Sequence, residues 1–248
     1  MNKALSYLRR SLVPVLAVVS AGVLLTACLK DKDYDNTPIP AAGLMTFNLA
    51  PDQSNLLVRL SGNLLTQQPL GYTNYSGVYQ NIYVGDRQIE AFNYNAGKTL
   101  TSSSYKFEDG KYYSLFVTGV DSAYRNIVAV DDFGKLDSTS STGKAYVRYI
   151  NAITDTVNAS TVTIAAGGNN IVNESAAYGK VNEFTEATAG NVVVTVKNNN
   201  GVDATRTISL EANKVYTVLL LGKPGATDAA KQVQIKFVAN GLLTDDNK

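Results

Sequence analysis

The chain has 248 residues, 22 basic and 21 acidic side chains, a formal charge of +1, one Cys, no Trp and no His. Without His, Ser–His and Cys–His nucleophile systems and His-held metals are excluded, and the side chain most used for proton transfer near neutral pH is missing. A single Cys excludes an intramolecular disulfide, and a balanced charge without basic clusters argues against a nucleic-acid partner.

The chain opens with a basic segment holding Lys3, Arg9 and Arg10, followed by an apolar run from Leu12 to Leu25 interrupted by Pro14. A membrane-spanning helix needs roughly 20 apolar residues, so this run is too short to remain as a span. Leu25-Thr26-Ala27-Cys28 closes it. The pattern resembles the lipobox of bacterial lipoproteins. That resemblance implies a signal peptide over 1–27 and a thioether-linked diacylglycerol on Cys28, usually with a third, amide-linked chain such as palmitate. Each buried methylene contributes about 0.8 kcal/mol, so several chains hold a protein firmly at a membrane. Removing residues 1–27 takes away three of the 22 basic residues and none of the 21 acidic, leaving a formal charge of −2.

Leu29 stands where many Gram-negative lipoproteins carry an Asp that retains them at the inner membrane, so the expected location is the outer membrane. Lys30-Asp31-Lys32-Asp33 resembles, in part, the charged tag of surface lipoproteins, which leaves open whether the protein faces the periplasm or the exterior. Residues 28–42, with Pro38 and Pro40 among polar residues, read as a flexible tether. Asp31, Asp33 and Asp35 have the spacing of the first calcium ligands of an EF-hand. However, Asn36 stands where its Gly should be and Ala42 where its Glu should be, so no metal site is assigned.

The remainder repeats itself. Met45 to Ala50 parallels Val147 to Ala152, Tyr79 and Gly85 parallel Phe184 and Gly190, and Gly110 to Gly119 parallels Asn213 to Gly222. Three matches in order, at offsets of 102 to 105 residues, indicate a tandem duplication. The modules are expected at 43–133 and 145–240, with a Ser/Thr/Gly linker over 134–144 and a polar tail over 241–248. Val192, Val194 and Val196 alternate along a strand, Asn198 to Gly201 is a turn cluster, and Ala204 to Leu210 begins the return strand. Lys214 to Leu221 is a nearly continuous apolar strand, as expected at a sandwich centre. Gln232 to Ala239 closes with Val233, Ile235 and Phe237 on one side. The expected fold is all-β, with two tandem immunoglobulin-like or related sandwiches of about seven strands each.

Asn151-Ala152 in an opening strand, the segment from Phe184 to Gly190, and Asn213 to Val218 ending at Gly222 resemble the tandem β-sandwich modules known as domain of unknown function 4397. Aligned by these matches, Leu49 falls opposite Asn151 and Gly110 opposite Asn213. The resemblance implies exported or envelope-anchored proteins and supplies no catalytic residues.

No Gly-x-Ser-x-Gly elbow and no phosphate-binding loop is present. Asp131-Asp132 and Glu108-Asp109 are candidates for carboxylate chemistry only in being acids. Nine Tyr lie between residues 43 and 133, and Tyr75, Tyr79 and Tyr83 share parity on an extended strand. Such a row would stack on sugar rings or anchor a protein, but Tyr is a common strand residue that packs cores and edges, and that is the favoured reading of these three. These features lead to the expectation of a non-enzymatic, lipid-anchored envelope module, structural or protein-binding, with no cofactor. The alternative is a surface lipoprotein that captures polysaccharide for an uptake system.

Overall fold

The computed structural model describes residues 38–137 and 143–243. Cys28, the charged segment after it and most of the tether lie outside the described residues. From Pro40 onward the chain forms one compact unit.

The first repeat contains eight strands. They are β1 (Ala41–Asn48), β2 (Leu56–Leu60), β3 (Asn63–Leu64), β4 (Gln80–Tyr83), β5 (Gly85–Asn93), β6 (Lys98–Phe107), β7 (Tyr112–Thr118) and β8 (Arg125–Val130). The second contains β9 (Lys144–Ile153), β10 (Ser160–Ala166), β11 (Asn169–Ala176), β12 (Thr185–Thr188), β13 (Gly190–Lys197), β14 (Asp203–Leu210), β15 (Lys214–Gly222) and β16 (Gln234–Leu242). Among the described residues there are thus eight strands per repeat rather than about seven. The additional strand in the first repeat is the two-residue β3, too short to leave a periodic signal.

The strands form four sheets, two per repeat, with orders β3-β2-β5-β6, β4-β1-β7-β8, β12-β9-β15-β16 and β11-β10-β13-β14. Each order in the second repeat is that of the first advanced by eight strands, so the duplication extends to the topology. Within a repeat all pairings are antiparallel except β1 with β7 and β9 with β15, which are parallel.

Three apolar cores separate the four layers. Leu44, Val58, Ile89 and Leu115 belong to the core between the two sheets of the first repeat. Val147, Ile164, Val194 and Val218 fill that of the second. The third core lies between repeats: Met45, Phe47, Leu49 and Phe116 of the first meet Ile150, Ala152, Leu219 and Leu221 of the second. The two inner sheets are therefore covered on both faces. That is why β1, β7, β9 and β15 read as nearly continuous apolar runs, whereas β13, in an outer sheet, alternates. Val192, Val194 and Val196 of β13 are fully buried, and β14 returns beside it.

The strand register corrects the alignment of the repeats at one point. Val117 pairs with Asn48, and Leu220 pairs with Asn151. Asn48, not Leu49, is the counterpart of Asn151, at the same offset of 103 residues that relates Gly110 to Asn213. By the same register Ser114 corresponds to Thr217 and Met45 to Arg148. Val130 pairs with Tyr113 and Ala239 with Tyr216, so the next residues, Asp131 and Asn240, also correspond.

Two turns explain the recurring motif before and after the seventh strand. Gly110 and Asn213 both hold positive φ, of 68° and 63°, a conformation open mainly to Gly and Asn. The N–H of Glu108 donates to the Tyr113 hydroxyl, and that of Glu211 donates to the Tyr216 hydroxyl, each at 3.0 Å. At the far end a Cβ on Gly119 would stand 2.4 Å from the Ala123 carbonyl oxygen, and one on Gly222 would stand 2.3 Å from that of Gln232.

Candidate functional site

The three Tyr expected to share one face occupy three different environments. Tyr83 ends β4 and is 66 % exposed, with the Arg87 guanidinium 6.0 Å from its ring centre. Tyr75 bridges to Phe47 of β1 and stacks on that ring at 5.3 Å, in the core between the repeats. Tyr79 also packs there. They form no common exposed row, because shared parity needs an unbroken strand from 75 to 83. Here β4 begins only at Gln80, and Gly77 turns the chain with φ of 79°.

Tyr79 leads to a buried polar network that joins the repeats. Arg148, from the middle of β9, forms an ion pair with Asp131, which follows β8, and both side chains are almost wholly buried. The Arg148 guanidinium also donates to the Ser114 hydroxyl at 2.9 Å, the Thr217 hydroxyl at 3.1 Å and the Val130 carbonyl at 3.3 Å. It lies 4.3 Å from the centre of the Phe184 ring. Asp131 accepts from Ser114 at 2.7 Å and from the Tyr79 hydroxyl. Asn240 donates to Tyr79 at 3.2 Å and accepts from Thr217 at 2.6 Å. Burial, followed by the Asp131 carboxylate, raises the Tyr79 hydroxyl well above its ordinary pKa. Sequence reasoning passed over Arg148. Its signal was available: a lone cation inside an apolar strand needs a buried partner.

The other candidate acids are also held. Asp132 pairs with Lys135 and Glu108 with Lys111, each at 2.7 Å, and Asp109 accepts the N–H of Ala41 at 2.8 Å. Asp155 sits in a loop of amides, accepting from the N–H groups of Val157 and Asn158 and from the side chains of Asn158, Asn198 and Asn200. Burial pushes its pKa up. The Asn158 N–H and the side-chain amides outweigh this and bring it down to about 2. Its oxygens are turned toward donors, and the described residues contain no group of three or more Asp, Glu, Cys or His placed to hold a metal.

Beside the network lies a pocket of about 250 Å³, lined by Lys111, Tyr112, Val130, Asp132 and Phe133 among others. Tyr112 is 44 % exposed and Val130 is 42 % exposed. The Tyr112 ring is braced edge-on by Tyr79, with centres 5.2 Å apart, and at a tilt by Phe133, with centres 5.6 Å apart. Gly43 makes this placement feasible, since a Cβ there would stand 2.5 Å from the Tyr112 ring. The result is a fixed aromatic wall with a charged rim, suited to holding a ring-shaped ligand or a side chain. A second hollow, of about 390 Å³, is more open and polar and is lined by Asn173, Glu174, Asn182 and Glu183 among others.

No curated protein is similar enough to match. Among solved structures, a family CBM26 module, CBMbc from Eubacterium rectale Amy13K, in complex with maltoheptaose, shows 11 % identity and a TM-score of 0.25, covering 84 % of this chain and 99 % of its own. Two chains provisionally named as cell adhesion proteins are similar at the same level. One, from Bacteroides eggerthii, shows 12 % identity and a TM-score of 0.25, covering 84 % of this chain and 98 % of its own. The other, from Bacteroides ovatus, shows 10 % identity and a TM-score of 0.21, with 84 % and 100 % covered. At these scores the likeness says nothing about ligand or role. The family comparison is more direct, and its match extends beyond the first repeat to include Asn151 and Asp155, counterparts of the Asn48 and Asp52 near its start. Residues 42–158 match the family described as a domain of unknown function (DUF4397).

Proposed function

We propose that this protein is a lipid-anchored, non-enzymatic module of the cell envelope, held at the outer membrane through Cys28, and that it serves a structural or protein-binding role. The observation that carries the non-enzymatic reading is the commitment of the acids. Asp131, Asp132, Glu108, Asp109 and Asp155 each have partners within the chain. Asp131 and Asp132 line the Tyr112 pocket with Lys111, but the Asp131 carboxylate is taken up by Arg148, Ser114 and Tyr79, and that of Asp132 by Lys135. A scaffold covered on both inner faces, with its outer sheets and loops free, suits presentation of a surface to a partner.

The Tyr112 pocket favours glycan capture as a second reading, because a braced aromatic wall beside Lys111 and Asp132 offers both stacking and hydrogen bonds to a pyranose. One experiment separates the readings. The chain from Pro40 onward is screened against a broad glycan array and, in parallel, cross-linked to envelope proteins in cells producing the full chain. Glycan binding that is lost in Tyr112→Ala supports capture. A reproducible cross-linked protein with a silent array supports the first reading. Turnover of any envelope substrate by the purified chain would overturn both.

A further inference from the structure

The interface between the repeats has an internal two-fold character. Phe47 corresponds to Ile150, Phe116 to Leu219 and Tyr79 to Phe184, and all of these lie at the inter-repeat contact or beside it. The contacts are reciprocal as well. Thr73 donates its N–H to Asn48, and Gly179 donates its N–H to Asn151, so Thr73 and Gly179 correspond. Ile127 pairs with Phe116 and Lys236 with Leu219, so these correspond too. Ile127 lies over Gly179, where an added Cβ would stand 3.2 Å from its Cδ1, while Lys236 donates to Thr73 at 2.8 Å. Two surfaces related in this way are self-complementary in shape, so the same packing would bring together two first repeats or two second repeats from different chains.

The charges break that symmetry. Asp131 has Asn240 as its counterpart and Arg148 has Met45. We propose that the buried Asp131–Arg148 pair is the specificity element that confines each repeat to a partner of the unlike kind, and so to its own chain. A pairing of two first repeats would bury two Asp131 carboxylates opposite Met45. A pairing of two second repeats would bury two Arg148 guanidinium groups opposite Asn240. Either leaves uncompensated charge in an apolar interface, which is strongly disfavoured, whereas the unlike pairing satisfies both charges. Ser114 and Thr217, which correspond, complete the satisfied network without themselves discriminating between pairings, because hydroxyls donate or accept as needed. Tyr79, with Phe184 as its counterpart, adds a donor to Asp131 from the first repeat alone.

The test compares three forms of the chain from Pro40 onward, each unfolded in urea, refolded over a range of concentrations and sized by light scattering. The parent should refold as a monomer at all concentrations. Asp131→Asn with Arg148→Met removes the discriminating charges. Met45→Arg with Asn240→Asp instead gives every repeat both charges, so that like pairings also become satisfied. Each folded double variant should yield a dimer fraction that grows with refolding concentration, at least about tenfold above the parent. Mixed refolding of two mass-distinguishable copies should give a hybrid dimer. A dimer-prone parent would overturn the proposal, as would a double variant that folds and stays as monomeric as the parent. If one variant fails to fold, the other decides the question. The two rest on opposite changes of charge, so loss of stability alone does not mimic the result.

Discussion

Asn48 and Asn151 make the same pair of connections in the two repeats. Asn48 donates its amide to the carbonyls of Gln53 and Leu70 and accepts the N–H of Ala50. Asn151 donates to the carbonyl of Ala176 and accepts the N–H of Ile153. Each thus ties the far part of the first strand of its repeat to the backbone of a neighbouring segment, Leu70 in the first repeat and Ala176 in the second. Asn48→Ala and Asn151→Ala should each cost about 2 kcal/mol or more in urea unfolding, since buried carbonyls and N–H groups lose their partners. Leu49→Ala should also destabilise, by about 2–5 kcal/mol, but through lost apolar packing.

The glycines of the recurring motif should differ in tolerance. Gly119→Ala and Gly222→Ala drive a Cβ into backbone carbonyls and should cost more than about 2 kcal/mol each, read as a fall in the midpoint of thermal unfolding. Gly110→Asn should change stability by less than about 1 kcal/mol, because its counterpart Asn213 already holds that conformation.

Breaking the buried network from one side should be costly. Arg148→Met leaves the Asp131 carboxylate buried without its cation and should lose about 3–5 kcal/mol of stability, measured by urea denaturation. Tyr79→Phe removes one donor to Asp131 and leaves Asn240 without an acceptor, at a smaller cost of about 1–2 kcal/mol.

Acid should weaken the Asp155 loop. The folded pKa of about 2 lies below the ordinary 3.8, so the loop's stabilisation is complete above about pH 4 and is lost as pH falls toward 2. Asp155→Asn should reduce stability at pH 7 by about 1–2 kcal/mol and flatten this part of the pH profile. A variant with the same acid slope as the parent would assign that slope to other groups.

Cys28→Ser should move the protein from the membrane fraction to the soluble fraction, with its unfolding transition unchanged. Persistence at the membrane would remove lipid anchoring from the proposed function.

The sequence alone determined the β class, the duplication and the apolar centres of both repeats, because side-chain alternation and turn residues are local signals. Val192, Val194 and Val196 face inward as their spacing indicates. Tyr75, Tyr79 and Tyr83 were beyond its reach, since parity applies only within an unbroken strand and Gly77 interrupts this one. The alignment of Leu49 with Asn151 failed by one residue, because apolar patterns tolerate a slip that hydrogen-bonded register does not. Tertiary structure alone decided that the two sandwiches share a third core and that Asp131 meets Arg148 across it. Both facts depend on which faces of distant strands come together, and no local pattern encodes that.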